Sequence, residues 1–149
     1  MPTLKRLSII LTLIALTACS VTPKTPLAAN REKWDSQRIS HYSFNLTIGC
    51  FCAFRDQMPL SIEVKDGKVV SMVDPAGQPV PQFTDTFDKY NTIEKLFNTL
   101  DSALNGGADK TTVEYNAENG YPESINIDYI EKAIDDEISF TVSDFVVLK

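Results

Sequence analysis

The chain has 149 residues, 43% of them hydrophobic and 23% charged, with a formal net charge of −6 at neutral pH and a single histidine. That length suits one ordinary domain. An acidic chain with no basic run is a poor partner for nucleic acid or for anionic lipid headgroups, and three cysteines are too few for a disulfide-dense scaffold.

The first residues read as an export signal. Lys5 and Arg6 precede an apolar run, Leu7 to Ala18, interrupted only by Ser8, Thr12 and Thr17. It is shorter than the ~20 residues a helix needs to cross a bilayer. A basic start, a short apolar middle and small residues before the cut define a secretory signal. Leu16-Thr17-Ala18-Cys19 is similar to the signal of bacterial lipoproteins, which are cut before the cysteine. That similarity implies a covalent lipid on Cys19 as a membrane anchor. Because Ser20 follows, and not aspartate, it also implies the outer membrane, facing the periplasm. The competing reading is a plain signal peptide cut after Ala18, with Cys19 incidental. Residues 1–18 are therefore expected to be removed. Residues 19–29, which include two prolines, are expected to be a flexible tether, and 30–149 a single domain.

Asn30 is the expected cap of a helix running to about Ser40, with Trp34 packing it on the core. Tyr42, Phe44, Leu46, Ile48, Cys50, Cys52 and Phe54 then all fall on even positions, the period of a strand with one buried face. Leu60, Ile62 and Val64 alternate up to Asp66-Gly67, a favoured hairpin turn. Pairing across it predicts Val69 opposite Val64, Ser71 opposite Ile62 and Val73 opposite Leu60. Asp74 to Tyr90 is Pro-rich and reads as a surface loop. Asn91 with Glu94 three residues on is a capping-box variant. It opens a helix whose apolar stripe is Ile93, Leu96, Phe97, Leu100, Ala103 and Leu104, ended by Gly106-Gly107.

Thr111 to Tyr115 reads as a strand, Asn119-Gly120-Tyr121-Pro122 as a turn, and Ile125, Ile127 and Tyr129 as a second strand. Ile138, Phe140, Val142, Val146 and Leu148 share one parity, interrupted by Asp144. The whole order predicts an α+β fold. It is an antiparallel sheet of about five to six strands, with the N-terminal helix and one central helix packed on one face.

Tyr42-Ser43-Phe44, Cys50-Phe51-Cys52, and Val64 with Asp66-Gly67-Lys68-Val69 occur in this order. Tyr90, Ile93-Glu94 with Leu96-Phe97, Val113-Glu114-Tyr115, Gly120-Tyr121-Pro122, Ile127-Asp128 and Asp135-Asp136-Glu137 follow. In that pattern the chain resembles the bacterial family catalogued as domain of unknown function 6174, many of whose members are predicted lipoproteins. The resemblance implies a fold type and an envelope location. It brings no activity, so no catalytic residue is carried over.

Cys50 and Cys52 are the first candidate site. On a regular strand their α carbons would be ~6.6 Å apart, whereas disulfides favour ~5.5–6 Å. A bond therefore needs the strand to bend, and Gly49 permits that. A local disulfide, two core thiols, and a redox or soft-metal (copper or zinc) role all stay open. A reactive thiol wants a nearby positive charge, and Arg55 has the opposite parity. A zinc site wants two further donors. His41 has the wrong parity and reads as a helix-end residue, and Met58 and Met72 are the soft ligands within reach for copper.

The acidic group Asp128, Glu131, Asp135, Asp136 and Glu137 lacks the spacing of a calcium loop and reads as a solvated turn. Gly120, Tyr121 and Pro122 join Asp128, Asp135, Asp136 and Glu137 as a candidate surface motif. The aromatics of the Phe83–Tyr90 segment and Tyr121 either supply a contact surface or cover the core. No catalytic set, metal site or cofactor is expected beyond the lipid on Cys19. The leading expectation is a non-enzymatic, membrane-tethered envelope module with an unidentified envelope protein or ligand as partner. A thiol-redox or soft-metal protein is the alternative, and a carboxylate-dependent envelope enzyme comes third.

Overall fold

The computed structural model describes residues 24–149. The expected signal and residues 19–23 of the expected tether, Cys19 among them, lie outside them. Helix α1 spans Pro26–Ser36. It starts earlier than the Asn30 cap implies: Thr25 is the N-cap, its Oγ1 accepting from the Ala28 N–H at 3.2 Å. Pro26 takes the first helical position, where its missing N–H costs nothing. Asn30 is inside the helix, donating from Nδ2 to the Pro26 carbonyl at 2.9 Å. Residues 26–29 are therefore helix and not tether. Only Trp34 of α1 is buried.

Six strands follow: β1 His41–Gly49, β2 Leu60–Lys65, β3 Lys68–Val73, β4 Lys110–Tyr115, β5 Pro122–Asp128 and β6 Ile138–Val147. They form one antiparallel sheet in the order β3-β2-β1-β6-β5-β4. The α+β expectation holds, with β1 and β6 at the centre. Tyr42, Phe44, Leu46 and Ile48 of β1, Leu60, Ile62 and Val64 of β2, Ile125 and Ile127 of β5, and Phe140 and Val142 of β6 are all buried on one face. Thr47, Ser61, Asn126, Thr141 and Ser143 line the other face and are exposed.

Between β3 and β4 lie the short α2 (Thr84–Phe87) and α3 (Ile93–Ser102). The cap of α3 is Thr92, one residue later than Asn91, and accepts from the Lys95 N–H at 3.2 Å. Ile93, Leu96, Phe97 and Leu100 are buried against the sheet, each contributing roughly 1.5–3 kcal/mol by leaving water. Leu104, expected in the same stripe, is exposed. The helix gives way at Ala103–Gly107, where Gly106 takes a φ of 96°.

The structure overturns three expectations. Asp74–Tyr90 is not a plain surface loop: Val80 and Phe87 enter the core, and Phe87 meets Phe54 at a ring distance of 5.0 Å. The hairpin pairs Val64 with Val69 as expected, but Ser71 faces Glu63 and Met72 faces Ile62. Val70 is the extra residue of a β-bulge and is exposed, which moves the parity by one. In β6 a second irregularity lies at Asp144, whose φ is +51°. Past it Phe145 turns inward, 4.7 Å from the Tyr121 ring and 5.6 Å from Tyr42, while Val146 points out.

Candidate functional site

Where β1 ends, the backbone turns sharply. Cys50 and Cys52 are joined by a disulfide, with α carbons 5.2 Å apart, so the alternation does not run on to Phe54 as strand. Both cysteines pack partly buried against the core. On one side Ile48 is buried and its N–H donates to the Met58 Sδ at 3.3 Å. On the other, Phe54 is buried among Phe83 and Phe87. With both flanks fixed and the sulfurs directed inward, Phe51 has nowhere to go but solvent, and is 79% exposed. Sequence reading placed Phe51 only inside the Cys50-Phe51-Cys52 motif and missed it as a surface feature. The signal for it was the single residue enclosed by two cysteines.

The 129–137 segment emerges at the same end of the sheet, because Gly49 pairs with Ser139 and Ile127 with Ile138. It presents Tyr129, Ile130 and Ile134 to solvent, the last at 87% exposure. The segment is tied by its acids. Asp136 Oδ2 accepts from the Ile130 N–H at 2.6 Å, and Asp109 Oδ2 accepts from the Glu131 N–H at 3.1 Å. Asp135 sits at a left-handed φ of 69°. Asp128 and Glu137 border a shallow recess of about 380 Å³ with Gly49, Lys110, Asn126 and Ser139.

Desolvation raises the Asp128 carboxyl above its ordinary range, and the charges of Asp136, Glu137, Glu131 and Asp109 push the same way. The folded state therefore binds a proton more readily than the unfolded chain. This contribution is fully present below the ordinary carboxylate range and is lost as pH rises through the raised value. Asp128→Asn is expected to raise the melting temperature at neutral pH and to remove part of the gain on acidification. Melting curves of both proteins between pH 4 and 7 check this; parallel curves would refute it.

Other expected site residues fall elsewhere. Gly120, Tyr121 and Pro122 are not a surface motif; all three are buried, at the opposite end of β5 from Asp128. Gly120 has a φ of +80°, and a Cβ there would come within 2.8 Å of the Asn30 carbonyl. Tyr121 packs edge-on to Trp34 at 6.1 Å. Phe83, Phe87 and Tyr90 likewise cover the core. His41 opens β1 and is not at a helix end; its Nε2 is 2.8 Å from Glu63 Oε1 on the neighbouring strand. Met72 packs on the core opposite Ile62. Among the described residues no three His, Cys, Asp or Glu side chains converge to hold a metal ion. Cys19 lies outside the described residues.

One partly buried polar constellation escaped the sequence reading. Glu94, in the first turn of α3, accepts from Trp34 Nε1 at 3.2 Å and from the Tyr42 hydroxyl at 3.1 Å. The Tyr42 hydroxyl in turn accepts from the Ile93 N–H at 3.2 Å. Burial first, then the Glu94 charge, pushes the Tyr42 hydroxyl far up, so it stays protonated and keeps donating. The cluster locks α1, β1 and α3 together and serves architecture.

Among the described residues these features define an α+β fold with a disulfide-stapled aromatic turn at one end of an open sheet. The chain matches the family of unknown function DUF6174 over residues 26–147 and belongs to it. No curated protein and no solved structure matches it.

Proposed function

We propose that the protein is a lipid-anchored, non-enzymatic interaction module of the bacterial envelope, held through Cys19 at the outer membrane and facing the periplasm. The Leu16–Cys19 pattern and Ser20 support the anchor and its place. Phe51 carries the interaction reading. A large exposed aromatic on a turn closed by a covalent bond is ordered before any partner arrives, so binding loses little further conformational entropy. Aromatic anchors of this kind dominate binding energy at interfaces. Tyr129, Ile130 and Ile134 extend the apolar contact, and Asp128, Glu131 and Glu137 supply a polar rim.

Two measurements test the reading. Intact mass of protein extracted from membranes should show acyl chains on Cys19 and a two-dalton gain on reduction. A photoreactive phenylalanine analogue at position 51 should crosslink one reproducible partner in cells, and Cys50→Ser/Cys52→Ser should cut that yield severalfold. The double variant should lose only roughly 1–2 kcal/mol of stability, as expected for so short a loop. An unacylated protein refutes the anchor. A crosslinking pattern at 51 no different from that at exposed Thr47 refutes the contact.

The same bond favours a second reading, a thiol-redox protein, because the pair is closed across a single surface residue. In that case a reduced, alkylatable fraction should be found in cells. A pair that stays fully oxidised under mild reductant speaks for the staple.

A further inference from the structure

The two edges of the sheet are not alike. At one edge, β3 is interrupted by the Val70 bulge and its end is bridged from Val73 to Pro79, devices that discourage pairing with another strand. At the other, β4 runs unbroken from Lys110 to Glu114 against β5. Its outward residues Lys110, Thr112 and Glu114 are exposed.

The backbone phase of that edge is set by one bond. The Asp109 N–H donates to the Tyr129 carbonyl at 3.3 Å, on the same register that pairs Lys110 with Asp128 and Glu114 with Ser124. Antiparallel ladders alternate, so Thr111 and Val113 spend their backbone groups on β5. Those of Lys110, Thr112 and Glu114 face the open side.

We propose that this edge binds a second copy of the same chain, β4 against β4, about a two-fold axis at Thr112, to make one continuous twelve-stranded sheet. In that register Thr112 opposes Thr112 of the second copy, and Lys110 opposes Glu114 of the second copy on both sides of the axis. About six backbone hydrogen bonds form, all from groups that β5 leaves free. Opposite charges meet directly across the strands on the exposed face, a favourable pairing. A shift by two residues in either direction keeps the hydrogen-bond phase and loses the charge pairing, so the register is selected.

Beside the buried face of β4 lies a hollow of about 370 Å³ lined by Pro26, Leu27, Leu104, Val113 and Tyr115. Two such hollows flank the axis in the pair and add apolar area to a strand contact that alone falls short of the ~1,600 Å² of a standard interface.

The test uses the full chain extracted from membranes in detergent. The α carbons of a hydrogen-bonded pair lie ~5.5 Å apart, within the range a disulfide spans. Thr112→Cys should therefore link to itself under mild oxidation, with the 112–112 bond identified by peptide mass. Lys110→Cys, about 14 Å from its own equivalent, and Thr47→Cys on a central strand should link about tenfold more slowly or not at all. Lys110→Glu in the Thr112→Cys background should slow linkage about tenfold by opposing like charges, and adding Glu114→Lys should restore it.

Linkage of Thr112→Cys no faster than Thr47→Cys overturns the proposal, as does indifference to Lys110→Glu. Amide exchange at Thr112 in the unmodified protein gives a second readout. Protection that falls on dilution supports the pair, whereas protection that survives dilution assigns the edge to the chain's own N-terminal residues and also overturns it.

Discussion

Trp34→Ala is expected to cost about 3–5 kcal/mol of folding stability and to release α1 from the sheet before the remainder unfolds. Trp34 is the only fully buried residue of that helix. Its ring meets Tyr42 at 5.5 Å, Phe145 at 5.7 Å and Tyr121 at 6.1 Å, each edge-on, and its Nε1 reaches Glu94. Apart from Leu27, which packs partly buried against the core, the rest of α1 is held by surface contacts: Arg31 bonds Asn98 and lies over the Phe97 ring, and Gln37, just past its end, donates to the Asn119 carbonyl. Exposed contacts of that kind are individually weak. Because the chain has one tryptophan, urea unfolding should be followed by circular dichroism, with amide exchange reporting α1 separately. Unchanged exchange rates across Pro26–Ser36 would show that Trp34 is not what holds the helix.

Tyr42 carries the second large effect, and two substitutions separate its parts. Tyr42→Phe keeps the ring stack and removes the hydroxyl, leaving the buried Ile93 N–H without an acceptor. An orphaned buried donor costs about 1–3 kcal/mol. Tyr42→Ala also removes the ring packed against Phe44 and Phe145, for a total of about 3–5 kcal/mol. With Trp34 in direct contact, the two losses should not add. A double-mutant cycle between Trp34→Ala and Tyr42→Ala is expected to show coupling of about 0.5–1.5 kcal/mol, the excess worth of an edge-on aromatic pair. Strict additivity would mean that the two rings act independently.

The class and order of the elements were legible because alternation and helical spacing report burial directly. Tyr42, Phe44, Leu46 and Ile48 lie on one buried face, and Ile93, Leu96, Phe97 and Leu100 form one buried stripe. Errors arose where one residue changes the phase. Val70 is as apolar as its neighbours, so nothing in composition marks it as the bulge. Asp144 adopts a left-handed φ and reverses which of Phe145 and Val146 faces inward. Thr25-Pro26 looked like linker because proline usually interrupts structure, yet the first turn of a helix is where it fits best.

The candidate site was only half visible. The cysteine spacing flagged the turn, but the outward direction of Phe51 depends on Ile48 and Phe54 being buried on either side, a tertiary fact. Gly120-Tyr121-Pro122 erred in the opposite sense. A turn signal suggests surface, but Tyr121 is enclosed by Trp34 and Phe145, residues distant in the chain.

The early start of α1 bears on the proposed anchor. Were Cys19 lipidated, only Ser20 to Lys24 would separate the lipid from the helix cap at Thr25, and a fully stretched backbone of that length reaches about 20 Å. On so short a leash the globule would stay in the layer just beside the headgroups and could not sweep through the wider compartment. A partner for Phe51 would then have to come to the bilayer, or already reside in it.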